Sequence, residues 1–292
     1  MGITKTTNMS NVEAREVDFV TRFAQSWQAL QEILGITRPI KKTPGTKLVS
    51  YTANSVNGLE ESPAEGVDIT PTTFEVKPVA YGDIDVEKYS KAVSVEAVAK
   101  YGAAVAVEKT DDAFLNELIG SVLDRFYTFV QTGTLTGAES DFQMAVAMAN
   151  GKVIDKFKKM RKGISGVATI VNTLDAYRYL GAATLSIQNA FGIQYVKDFL
   201  GAKVMILSSE IPSGKVIATA VDNIDLYFID PGDSDFAKLG LQYTTDGETN
   251  LIGFHAEGNY KNATGESYAL LGMKLWAEYL DGVAVIDVDD SF

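Results

Sequence analysis

TDDAFLNELIGSVLDRFYTFVQTG, residues 110–133, is the stretch that decides the fold. Phe114, Leu115, Leu118, Ile119, Val122, Leu123, Phe126 and Val130 recur at helical spacing and make one continuous apolar stripe. Thr110 opens the helix, and Asp111 and Asp112 fall in its first turn, where negative charge complements the helix dipole. Gly133 closes it. At 1.5 Å per residue the helix would run on the order of 30 Å, long enough to be the backbone of a domain.

Upstream, Ser10 and Glu13 have the spacing of a capping box, and Val17, Val20, Phe23, Ala24, Trp27, Leu30 and Leu34 follow as a second stripe ending at Gly35. Glu16, Arg22, Gln25 and Gln28 are placed on its polar side. Arg38-Pro39, Lys41, Lys42 and Pro44-Gly45 then read as an extended basic connector. Two strand patterns follow, residues 47–52 and 74–81, joined by a polar, turn-rich stretch carrying Glu60, Glu61, Glu65 and Asp68. Together they predict a long hairpin with an acidic tip. Pro78 lacks a ladder donor and suits an exposed ribbon. A two-stranded ribbon is marginal alone, so the hairpin is expected to lie on a partner surface. Ile84, Val86, residues 92–95 and residues 103–107 suggest strand or mixed structure.

Downstream, a helix is expected from about Ser140 to Lys162, its end rich in Lys156, Lys158, Lys159, Arg161 and Lys162. Those cations suit a helix C-terminus and a solvated face better than a nucleic-acid patch. Residues 167–171 read as a strand, and a short helix with Leu174, Tyr177 and Leu180 starts near Thr173. Strands follow at 203–207, 215–220 and 224–229, separated by turn residues. Residues 251–255, a long run over 268–278, the Asp281-Gly282 turn and a last strand at 283–288 complete the chain. The class is α+β, with no βαβ rhythm and no internal repeat.

The chain has 292 residues, and 26 Lys+Arg against 38 Asp+Glu give a net charge of −12. That balance argues against gripping a nucleic-acid backbone, which needs cations in excess. The absence of cysteine excludes disulfides, thiolate metal sites and cysteine nucleophiles. One histidine, His255, excludes any two-histidine metal site and leaves no partner for a Ser-His arrangement elsewhere. No phosphate loop or dinucleotide fingerprint is present. Asp230, Asp233 and Asp235 could offer oxygens to a hard cation, but the same residues serve any surface turn. Carboxylates are plentiful, and no spacing selects a pair for acid–base work. The polar N-terminus lacks an apolar signal core, and no segment approaches ~18 apolar residues, so an intracellular, membrane-free protein is expected. No catalytic, cofactor or metal residue is assigned, and no cofactor is expected.

The order of elements, arm with helix, acidic-tipped hairpin, long helix, mixed region and return strands, resembles the major capsid proteins of tailed bacteriophages, the Hong Kong ninety-seven type fold. Residues 129–133, closing the long helix, and Val171-Asn172-Thr173-Leu174-Asp175-Ala176 carry part of the likeness. Leu200-Gly201-Ala202-Lys203-Val204, leading into Ile211-Pro212-Ser213-Gly214-Lys215-Val216, carries the most, with Asp222-Asn223-Ile224 and residues 277–285 behind it. The resemblance implies an N-terminal arm at 1–45, an extended E-loop hairpin at 46–82, a peripheral domain with the spine helix at 83–136 and 239–292, and an axial domain at 137–238. It also implies hexamers and pentamers of this chain tiling an icosahedral head around double-stranded DNA. Scaffolding would be a separate protein, alongside a portal. The product would be a virion, assembled in a bacterial cytoplasm. A shell-forming bacterial nanocompartment of the same fold is the alternative, and a carboxylate-dependent hydrolase a more distant one.

Within that frame the acidic tip is expected to latch onto an adjacent subunit. Glu60, Glu61, Glu65 and Asp68 have no cation between Ser55 and Ile69 to balance them. Arg38, Lys41 and Lys42, or Lys158, Lys159 and Arg161, are the candidate partners. Leu59, Val67 and Ile69 would add a few kcal/mol of apolar burial at roughly 25 cal/mol per Å². The competing reading is a solvated acidic loop. A net-negative shell lining would confine packaged DNA without adhering to it. Some capsid relatives staple an E-loop lysine to a neighbour's asparagine, but no lysine lies between Lys47 and Lys77 here. Mature particles are therefore expected to run as single chains on denaturing gels; a ladder of covalent multimers would contradict this.

Overall fold

The computed structural model describes residues 14–27, 39–56, 65, 68, 71–181, 187–190 and 193–289. Ser10, Glu13, Leu30, Leu34, Gly35 and Arg38 lie outside them, as do Glu60 and Glu61.

The spine helix α3 (Lys109–Val130) forms as its stripe dictates: Leu115, Leu118, Ile119, Val122, Leu123, Phe126, Tyr127 and Val130 are buried. Helix α1 (residues 14–27) packs into the same core through Phe19, Val20, Phe23 and Trp27. Its buried face is one step round from the expected one. Val17 is 51% exposed, whereas Phe19 and even Glu16 are buried. Positions 16, 19, 20, 23, 24 and 27 share a face at spacings of three and four, and Val17 sits about 100° away from Glu16.

Four sheets surround these helices. Among the described residues β2 (Lys47–Ser55) and β3 (Phe74–Asp83) pair only with each other, the expected hairpin, with Tyr51 opposite Pro78. β1 (Pro39–Lys42), β11 (Ile224–Ile229) and β14 (Met273–Ala277) make a second sheet. β4 (Glu87–Ser94), β12 (Ile252–Asn259) and β13 (Thr264–Leu271) make a third, in which β13 is central. The largest has seven strands in the order β5-β15-β10-β6-β9-β8-β7. Here β5 is Leu135–Glu139, β6 Val167–Asn172, β7 Gln188–Ala190, β8 Ile193–Phe199, β9 Ala202–Ser208, β10 Lys215–Ala220 and β15 Ala284–Val288. α4 (Phe142–Lys159) covers one face of this sheet with Ala145, Val146, Ala149 and Val153. α5 (Thr173–Leu180) and the short α6 (Ser234–Ala237) complete the set.

Several elements depart from the sequence reading. Of the stretches that suggest strand or mixed structure, residues 92–94 do end β4, but Val95 opens a helix and residues 103–107 fold as helix. Ser94 caps α2 (Val95–Tyr101) by accepting from Ala97 N–H, and a π-helical turn at Ala104–Glu108 leads into α3. The run at 268–278 divides at Gly272 into strands of two different sheets, β13 and β14. A Cβ at Gly272 would stand 3.2 Å from Ile229 Cβ, so the chain passes between the sheets where there is little room for a side chain. β15 lies in the seven-stranded sheet between β5 and β10, and β11 pairs with β1 and β14.

The two most telling sequence motifs meet in space. Asn172 caps α5 through Leu174 N–H and donates to Ile211 C=O at 2.6 Å. Asp175, buried in α5, accepts from Ser213 Oγ and Gly214 N–H at 2.5 and 2.7 Å. The 171–176 and 211–216 motifs are thus two halves of one hydrogen-bonded joint.

Trp27 is fully buried beside the spine helix. Trp27→Ala is expected to cost about 3–5 kcal/mol, read as a lower denaturant midpoint with an unchanged slope.

Candidate assembly surfaces

Directly paired residues of an antiparallel ribbon point to the same side. In β2 and β3 the register sets Val49, Tyr51, Val76, Pro78 and Phe74 on one side, and Lys77 and Glu75 on the other. The first side is apolar and in water: Tyr51 is 68% exposed, and Phe74 and Val76 are also exposed. Lys77 and Glu75 form a 3.0 Å ion pair on the polar side. The base of the ribbon is anchored through Leu48, packed with Ile84 and Ile229. The sequence reading emphasised the tip and missed this apolar face, although the alternation Val49, Tyr51 and Phe74, Val76 was there to be counted.

Of the tip carboxylates, Glu65 and Asp68 are exposed; Glu60 and Glu61 lie outside the described residues. Among the described residues no ion pair joins Glu65 or Asp68 to Lys41, Lys42, Lys158, Lys159 or Arg161. Lys41 reaches buried Asp230 at 2.6 Å, and Lys42 lies 5.1 Å from the Tyr227 ring centroid. Asp230 also accepts from Gly232 N–H and Asn250, while Asp233 caps α6. Lys159 pairs with Asp155 and Lys156 with Asp281. Lys158 and Arg161 are exposed and engage no carboxylate among the described residues. Among the described residues no cluster of three histidines or carboxylates could hold a metal, and no helix is long and apolar enough to cross a membrane.

A second constellation fixes the arm to the body. Arg15 of α1 grips Asp111 of the spine helix with two nitrogens, at 2.6 and 2.7 Å, and donates to Ser267 on β13 at 2.8 Å. Lys91 of β4 adds a third bond to Asp111 at 2.6 Å. Glu16, the next residue of α1, accepts from Ala256 N–H and Thr244 Oγ, both at 2.6 Å, with His255 Nδ1 at 3.5 Å. Arg22 pairs with Asp112 at 2.9 Å. Burial alone would raise the Asp111 pKa, but its bonds to Arg15 and Lys91 outweigh that and hold it below 3.8. Burial lowers the Lys91 pKa, with Asp111 opposing the shift. These anchors were invisible in sequence because their partners lie in distant elements.

No protein-family profile matches this sequence, and no match is found among curated proteins. Solved structures do match. The chain aligns with the capsid asymmetric unit of Cyanophage A-1(L) at TM-score 0.57 and 11% identity, over 89% of this chain and 92% of that one. A chain from Mycobacterium phage Che8 gives 0.51 and 12%, over 82% and 84%. The capsid structure of Cyanophage P-SCSP1u gives 0.50 and 8%, over 89% and 88%. The fold is that of tailed-phage major capsid proteins, the Hong Kong ninety-seven type, in agreement with the sequence resemblance.

Because the Asp111 pKa is depressed on folding, its stabilisation is complete above the unfolded value near 3.8 and is lost as pH falls through the lower folded value. Thermal melts of the unassembled chain should therefore drop as pH falls below about 4, and Asp111→Asn, less stable at pH 7, should show a flatter acid limb. Parallel acid limbs would contradict the assignment.

Proposed function

We propose that this chain is the major capsid protein of a tailed bacteriophage, assembling as hexamers and pentamers into an icosahedral head that encloses double-stranded DNA. The observation that carries the reading is a capsid fold bearing a projecting two-stranded ribbon whose apolar face stays in water in the single chain. Such a face is a liability in a monomer and an interface in a shell. The role is structural rather than catalytic, without a cofactor, and with a separate scaffolding protein and a portal as partners. The site of action is the virion, assembled in the bacterial cytoplasm. The arm, E-loop, peripheral and axial divisions at residues 45, 82, 136 and 238 belong to the same proposal. So does the net charge of −12, which would let packaged DNA leave again without adhering.

The tip latch is part of this reading. Glu60, Glu61, Glu65 and Asp68 gain attraction against a neighbour's cations as water is excluded. Lys158 and Arg161 favour the basic helix end as their target, since using Lys41 would disturb its bond to Asp230.

Negative-stain microscopy of the purified chain, alone and with its scaffolding protein, tests the function: closed shells are expected, and particles no larger than one chain would overturn it. Replacing residues 57–66 with a short turn should leave the far-UV circular dichroism nearly unchanged and abolish closed shells. Normal assembly with unchanged salt sensitivity would remove the latch from the account.

A further inference from the structure

We propose that the π turn at Ala104–Glu108 is one of two registers open to the start of the spine helix, held by the charge on Glu108 and by the Thr110 hydroxyl. The inference concerns the single chain and does not rest on the shell reading.

The buried face of α3 repeats regularly: Asp111, Leu115, Leu118 and Val122 follow one another at steps of four, three and four. Carried backwards by the same rule, an unbroken α-helix would bury positions 108 and 104. Both are exposed, and Ala106 is buried in their place, five residues before Asp111. Five is the step of a π turn, closed here by the bond from Lys109 N–H to Ala104 C=O. The extra residue takes Glu108 off the buried face.

Charge explains why it is taken off. A cavity of about 620 Å³ lies between α1 and the turn, lined by Arg15, Asp18 and Arg22 of α1 and by Glu108, Asp111 and Asp112. Arg15 and Lys91 are committed to Asp111, and Arg22 to Asp112 with Asp18 at 3.7 Å. Three cations there already face three carboxylates. In the α register Glu108 would enter as a fourth carboxylate with no cation left for it, and burying an unmatched charge is costly.

Side chains prop the turn as well. Thr110 shares its hydroxyl proton between Ala106 C=O and Val107 C=O, at 2.8 and 2.9 Å. A threonine bonded back onto the preceding turn distorts an α-helix. Lys91 of β4 donates to Thr110 Oγ1 at 2.7 Å and reaches Val107 C=O at 3.4 Å. On the other side, α2 ends at Gly102, whose φ of 80° breaks the helix, and α2 has no buried residue. A slip of one residue at that joint gives up no packed side chain. Because Lys91 belongs to β4, a shift of that strand against the spine helix withdraws the prop, and the α register then turns Ala104 inward and Ala106 outward.

The chain has no cysteine, so single cysteines report the register by thiol labelling of the unassembled full chain. In the native background Ala104→Cys should label several-fold faster than Ala106→Cys. With Glu108→Met and Thr110→Val added, the charge and the prop are gone and the order should reverse. An unchanged order in a background that still melts cooperatively overturns the inference. Fast labelling at both positions overturns it too, because that is fraying and not a second register. Should the double background fail to fold, Glu108→Met and Thr110→Val are read singly: reversal in either supports the two registers, and the native order in both overturns them.

Discussion

A two-stranded sheet has no layer behind it, so apolar side chains on its face remain in water until another molecule arrives. That constraint governs this protein. Val49, Tyr51, Phe74 and Val76 all lie on one side of the β2–β3 ribbon, and Leu48 anchors its base. The spine helix, by contrast, is buried along its stripe, and the seven-stranded sheet is covered by α4.

A rigid body is what makes such a ribbon useful, and the charged node around Asp111 provides it. Three cationic or hydroxyl partners from α1, β4 and β13 converge directly or through Arg15 on one turn of the spine helix. Glu16 adds backbone and hydroxyl bonds one residue away. Buried charges of this kind owe much of their desolvation back to their partners, so they add little net stability when intact and cost heavily when one member is lost. They tie α1 at once to the spine helix and to β13.

The sequence made the spine helix, the ribbon and most of the central strands legible because each has a strong period and plain turn residues at its ends. It did not disclose the arm's anchoring. A charged residue on an amphipathic helix reads as solvated, and only tertiary structure brings Asp111, Ala256 and Ser267 to Arg15 and Glu16. Residues 103–107 misled because alternating Ala and Val satisfies a strand period as well as a helix, and they form the π turn that leads into α3. Residues 188–199 carried no strand signal strong enough to separate β7 and β8 from a loop. The tip carboxylates were conspicuous by charge; the apolar rows Val49, Tyr51 and Phe74, Val76 could be counted strand by strand, but only the register puts both on one side.

Hydrogen exchange compared between assembled particles and dissociated chains tests the central claim most directly. If a neighbouring copy covers the ribbon, amides of residues 47–56 and 71–83 should exchange far more slowly in particles than in free chains, while those of the spine helix should change little. Equal exchange of the ribbon in both states would contradict the account.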